Sequence, residues 1–354
     1  MDSVDFERGV AEGLASDAQI AAYSIAQYAL LAASALSLCL SLLVILRASP
    51  RTMSTYKWHL LNQVGWNFAL DFFLCLTQPV SIPAVFCGFS ASALFRHRSS
   101  AWNRSLLTII TACEVGKTSA LYTSLFYRMT ASLGETSAVY RVYRRTSPYL
   151  ETALLLVLEA GVVLAHQTDA KAEADRRVFE AKSPAIRALY QREPSFTCAV
   201  ADEREQAALN IAGLLVGAVG FGCTISAFAF AVYTLQKRKD TFHAKTYQMQ
   251  VMLLKSCAAQ VFASVVTMTI PFLLLAAIIH FRLVQLSYLL LFATCLVSTH
   301  TTIDFLIMIV VIRPYNEYLL RLFRQDRIVK LAPKRLFSTS VRTTTLVRSS
   351  TNAT

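Results

Sequence analysis

Among the ionisable side chains inside the long apolar stretches of this chain are Asp71, Glu114, Lys117, His300 and Asp304. Charge in a hydrocarbon layer is costly, so such residues pair with one another, face a protein interior, or serve a switch or a ligand. Glu114 and Lys117 are three positions apart and share a helical face. They suit an internal pair that neutralises itself, or the polar floor of a ligand pocket. His300 and Asp304 are four apart and also face one way. Asp71 falls near the centre of its apolar block, where a carboxylate serves either a conformational switch or a satisfied structural role. None of this is bond-making chemistry. The chain has no Gly-rich phosphate loop and no HExxH, CxxC or GxSxG motif, the patterns that carry nucleotide, zinc or acyl-transfer chemistry. No catalytic residue, cofactor or metal site is expected, and the chain does not read as an enzyme.

The elements that must position these residues are membrane helices. The 354 residues are 55% hydrophobic and only 16% charged, against about 25% charged in soluble domains. The apolar residues come in blocks long enough to span a bilayer. The net charge of +12 is therefore read by location, as topology and attraction to anionic lipid, and not as affinity for nucleic acid.

Residues 1–19 are acidic and lack the basic start of a cleaved signal. The first block, Ile20 to Leu46, then acts as an uncleaved anchor. Arg47, Arg51 and Lys57 hold its far end in the cytoplasm and leave the N-terminus outside. Further blocks run from Trp58 to Phe86, Leu106 to Tyr127, Tyr149 to His166, Ala207 to Leu235 and Val251 to His280, and a seventh begins at Leu286. The third is weakly apolar, and the orientation of its neighbours requires a crossing there. Seven crossings place twenty Lys and Arg inside and twelve outside. Seven of the outer ones lie in the segment Gln167 to Gln206, where eight acids offset them. In that outer segment Cys198 can form a disulfide, with Cys87 as its best partner; the sequence leaves open whether the bond forms. The predicted architecture is an all-α, seven-transmembrane-helix bundle over residues 20–313.

After the seventh block, Arg313-Pro314-Tyr315 stops the helix. Residues 314–327 then form a short amphipathic helix, with Leu319, Leu322 and Phe323 on one face, lying on the membrane surface. Residues 328–354 form a Ser- and Thr-rich tail, predicted to be disordered. A final span, a Pro-Tyr stop and a surface helix suggest the inner end of a seven-helix, GPCR-like receptor. Three stretches carry a closer likeness: YKWHLLNQVGWNFALDFFLCLTQPVSIPAVFCGF, TYQMQVMLLKSCAAQVFASVVTMTIP and STHTTIDFLIMIVVIRPYNEYL. In order and spacing they resemble the nematode serpentine receptor class H (Srh) chemoreceptors, over about Thr55 to Leu322. Departures are Thr301 where the family tends to have Gly, and Asn316 where it tends to have Arg. Phe126-Tyr127-Arg128-Met129 keeps only the arginine of the pattern at the inner end of the third helix.

The resemblance implies a chemosensory receptor in the plasma membrane that binds a small molecule or odorant and signals through a heterotrimeric G protein. Arg128, Arg141, Arg144, Arg145, Lys237, Arg238 and Lys239 are the candidate coupling residues, and Pro271 the kink site of a moving sixth helix. The acid and Asn that the family tends to carry before this arginine are replaced by Phe126 and Tyr127, and the missing acidic neighbour predicts raised ligand-independent activity. The resemblance also makes the second and seventh helices neighbours. Asp71 and Asp304 then share one dry site, together with a proton, a protonated His300 or a sodium ion. The tail hydroxyls predict phosphorylation and an arrestin-like partner. The rival readings are a seven-span transporter or ligand-gated channel, and a peptide-binding GPCR.

Overall fold

The computed structural model describes residues 15–50, 55–82, 87–132, 169–182, 184–198, 203–241, 244–281 and 288–331, with Met53 and scattered positions between 138 and 160. The N-terminal segment before residue 15, most of the fourth apolar block and the tail beyond Leu331 lie outside the described residues. So do Arg144 and the regulation predicted for the tail.

Helix α1 (Asp17–Ala48) opens with a capping box in which Ser16 and Gln19 exchange side-chain bonds with each other's backbone N–H. Asp17 in its first turn and Arg47 in its last oppose the helix dipole. Helix α2 (Tyr56–Thr77) ends at Gln78, the one non-glycine residue with positive φ among the described residues. Its left-handed backbone lets its N–H cap the Leu74 carbonyl at 2.7 Å. Ser24 of α1 pins the Gln78 side chain at 2.8 Å. The second apolar block therefore turns earlier than its hydropathy suggests. Its last residues leave the helix and form strand β1 (Pro79–Ile82), which pairs with β2 (Cys87–Ser90).

Helix α3 (Ser100–Ser132) runs well beyond the apolar block that predicted it. It packs closely on α2, since a Cβ at Gly116 would lie 2.5 Å from the Trp66 ring. The long polar segment folds as α4 (Asp169–Lys182), α5 (Pro184–Arg192) and strand β3 (Thr197–Cys198). Strand β3 pairs antiparallel with β2 and completes a three-stranded sheet in the order β1-β2-β3.

Helix α6 (Glu203–Lys237) packs on α3. Helix α7 (Ala244–Ser264) passes through a π-helical turn, Val265–Thr269, into α8 (Ile270–His280). Pro271 lacks an N–H, and the wider turn just before it absorbs that break in the ladder. Helix α9 (Tyr288–Val311) packs against α1, α2 and α7. Helix α10 (Arg313–Leu331) begins immediately after it, with Pro314 in the first turn, where a missing N–H does no harm. Leu322 and Phe323 of α10 are exposed. Among the described residues, four helical stretches are long and apolar enough to cross a membrane: α1, residues 218–237 of α6, residues 246–278 across α7 and α8, and α9.

Candidate functional site

Three tiers of side chains are stacked along the bundle. The first is a folded cap. Cys87 and Cys198 are joined by a disulfide across the β2–β3 pair. The cap has its own core, in which Ile82, Phe89, Phe179, Ile186 and Phe196 pack with Tyr23 of α1 and Leu291 of α9. Arg96 grips the buried Glu193 through two bonds, Nε at 2.9 Å and Nη2 at 2.5 Å. That pairing raises the Arg96 guanidinium above its usual range. Asn103 donates to the Ser195 carbonyl at 2.9 Å and is itself buried. Gly88 is required here, since a Cβ would lie 2.7 Å from the Val80 carbonyl oxygen.

The second tier is a polar layer at mid-bundle. Gln63, Asn67 and Asp71 recur every four residues along α2 and are all buried. Gln63 and Asn67 donate to Asp304 Oδ2 of α9 at 2.8 and 3.0 Å. Thr301 Oγ1 donates to the Asn67 carbonyl at 3.3 Å, and the Ser34 and Thr301 hydroxyls lie beside Asp71. The Lys117 ammonium is buried, and its charge acts on Asp71, His300 and Asp304. It bonds Glu114 at 3.3 and 3.4 Å, yet the Glu114 side chain is 43% exposed while that of Lys117 is 7%. The two candidates thus divide: Lys117 joins the buried layer, and Glu114 marks its edge.

His300 and Asp304 do not pair. The His300 ring meets Thr267 of the π turn at 2.8 Å and Ser264 at 3.5 Å, while Asp304 turns to α2. Four residues leave about 40° between side chains, enough for α9, wedged between α2 and α7, to send one to each neighbour.

The third tier is a clasp at the opposite end. Arg128 is 3% exposed although it is a full cation. Its guanidinium lies 4.6 Å over the Tyr56 ring and donates to the Leu253 carbonyl of α7. Tyr127, where the family tends to have Asn, stacks on Tyr56 with centroids 5.9 Å apart. The Tyr56 hydroxyl lies 3.5 Å from Ser124 Oγ. Tyr315, from the Pro-Tyr stop, is fully buried and shares a 2.8 Å hydrogen bond with Ser49 at the end of α1. Pro314 beside it is half-buried. Arg141, Arg145, Lys237 and Lys239 are exposed and Arg238 is half-buried.

The residues missed from sequence are mostly neutral: Gln63, Asn67, Tyr56 and the backbone of Leu253. A signal existed for the first two, since Gln63, Asn67 and Asp71 form a four-residue ladder in an otherwise apolar block. Among the described residues no group of three or more His, Cys, Asp or Glu side chains is placed to hold a metal ion. No curated protein matches the chain. A family model described as serpentine type 7TM GPCR chemoreceptor Srh matches residues 18–325, nearly the whole described bundle, and the chain belongs to that family.

Proposed function

We propose that the protein is a seven-span plasma-membrane receptor with its capped end outside, which binds a small molecule and signals through a heterotrimeric G protein at the clasp end. The observation that carries this reading is Arg128. A buried cation held by the Tyr56 ring face, the Leu253 carbonyl and the Cys257 thiol is stable only while α2, α3 and α7 stay together. A ligand that favours another packing of these helices releases it toward the partner. Arg141, Arg145, Lys237 and Lys239, which are exposed, and the half-buried Arg238 are the further coupling candidates, and Arg144 is assigned with them from the sequence alone. Asp71, Asp304 and His300 act as the switch layer, with Lys117 as their positive partner. The exposed apolar side chains of α10 sit in the lipid surface.

The test is a ligand screen in cells with a second-messenger readout, followed by Arg128→Ala. An agonist response that the variant loses while reaching the cell surface supports the assignment. A full response from the variant removes Arg128 from coupling. Ligand-driven current or flux with no G protein present would overturn the receptor reading.

A further inference from the structure

One imidazole ring spans the break between α7 and α8. His300 of α9 and Thr267 of the π turn are each 2% exposed. His300 Nδ1 lies 2.8 Å from Thr267 Oγ1, and Nε2 lies 3.5 Å from Ser264 Oγ. Ser264 is the last residue of α7, and Thr267 sits inside the π turn. The ring therefore touches both sides of the point where the α-helix gives way. A π turn next to a proline is the kind of irregularity at which helices bend.

Each hydroxyl has one proton to give. Thr267 gives its proton to the Ala263 carbonyl at 2.7 Å, and Ser264 gives its own to the Gln260 carbonyl at 3.0 Å. Both oxygens therefore offer the ring lone pairs only. A neutral imidazole has one N–H and one bare nitrogen. The N–H belongs on Nδ1, at the shorter distance. At Ser264 the bare Nε2 faces an oxygen lone pair, which accounts for a separation beyond the usual range of about 2.7–3.2 Å. An imidazolium has an N–H on both nitrogens, and it satisfies both hydroxyls without turning.

The neighbouring helices set the local charge. Asp71 comes from α2, and Lys117 from α3 with Glu114 at its edge. Asp304 and Cys295 are on α9 itself, and the α3 thiol of Cys113 shares an apolar cluster with Met268 of the π turn. Gln27 and Ser34 of α1 are neutral. Along α7 and α8, Lys255, Cys257 and His280 each stand at least seven residues from Ser264 and Thr267. Three carboxylates thus face one ammonium, and the layer can accept one more positive charge.

We propose that His300 is a proton-operated latch on the α7–α8 hinge, holding Thr267 alone when neutral and both Thr267 and Ser264 when charged. The latch deepens the switch-layer reading, on which its effect on signalling rests, by naming the proton as regulator. It fixes α7 in the arrangement in which the Leu253 carbonyl receives Arg128, so acid keeps the clasp closed. Proton binding itself is measurable without any G protein.

The experiment uses the full chain in lipid nanodiscs with nitrogen-labelled histidine rings, read by NMR from about pH 8 to 5, the range in which imidazoles titrate. His300→Gln identifies the His300 signals by their loss. The ring passes from the neutral Nδ1–H form to the imidazolium. Ser264→Ala removes the acceptor that only the charged ring uses, and lowers its proton affinity about threefold or more. Lys117→Gln removes a repelling charge and raises that affinity several-fold; opposite shifts cannot both come from misfolding. In cells, acid lowers ligand-independent second-messenger output from the native protein, and His300→Gln loses this pH dependence. A ring that stays neutral throughout, or a proton affinity unchanged by Ser264→Ala, overturns the latch. So does output that responds to pH equally in native protein and His300→Gln. Charging of the ring with the Ser264→Ala shift intact, in a protein that gives no second-messenger output at any pH, counts against the receptor reading and leaves the latch standing.

Discussion

At the capped end, the chain is tied by bonds of fixed geometry: a disulfide between strands, a two-bond Arg96–Glu193 pair and a buried Asn103 contact. At the clasp end, the same helices meet through stacked rings, a cation over a ring face and a carbonyl. The contrast is physical. Covalent and charge-paired ties hold one arrangement, and breaking a buried charge pair leaves an uncompensated charge. Ring faces and single carbonyl contacts can be exchanged for others at a cost of about 1–2 kcal/mol each. One end is built to keep its shape while the other can change partners.

Removing the disulfide is the strongest way to break this comparison. Its two cysteines are 111 residues apart, and a closed loop of that length constrains the unfolded chain by about 4–5 kcal/mol in the chain-entropy account. Cys87→Ser with Cys198→Ser should sharply lower both the melting temperature in nanodiscs and surface expression. Native melting in that variant would show that the cap is held without it.

The Arg96–Glu193 pair comes next. Its side chains are 32% and 3% exposed, so the loss on Arg96→Ala should fall below the roughly 3–5 kcal/mol of a fully buried broken pair. Glu193→Gln removes the charge and keeps an acceptor, and should cost less than Arg96→Ala. The reverse order in thermal melts would mean that the pair contributes little beyond packing.

Tyr56 probes the softer end. The sequence predicts raised basal activity because Phe126 stands where an acid would restrain Arg128. The structure supplies another restraint, the Tyr56 ring and the Leu253 carbonyl. Tyr56→Leu should therefore raise ligand-independent second-messenger output several-fold, whereas Tyr56→Phe, which keeps the ring, should stay near the native level. Equal basal output from Tyr56→Leu and native protein would remove the ring from the restraint.

The bundle was legible because spans need apolar blocks, and the blocks at α1, α7–α8 and α9 are long. The cap was less so. Gln167 to Gln206 is nearly neutral in charge and without a long apolar run, so its helices show only as short amphipathic patterns. The end of α2 was misplaced because Pro79 to Ile82 is as apolar as a helix, while the left-handed Gln78 that ends it depends on Ser24 from another helix. In the polar layer the acids were visible as charges in apolar blocks. Their partners were neutral amides and one lysine assigned to a different pair, and which face each meets is decided by packing.

The smallest predicted effect asks whether the two ends communicate through the polar layer. Asn67 donates to Asp304, sits one turn from Asp71, and its carbonyl receives Thr301, whose hydroxyl also lies beside Asp71. The acids are thus linked through two shared neighbours and need not touch. Asp304→Asn takes the acceptor charge from Gln63 and Asn67, and frees Asn67 to turn toward Asp71. Asp71→Asn removes the charge that would meet it. Each change alone should shift the agonist concentration for half-maximal response. The double variant should fall short of the sum by about 0.5–1 kcal/mol, the low end of the range for residues in one network. Asn67→Ala should abolish that shortfall if Asn67 carries the coupling. Strict additivity of Asp71→Asn and Asp304→Asn would mean two separate buried acids, and the fixed end would then act on the clasp by a route other than this layer.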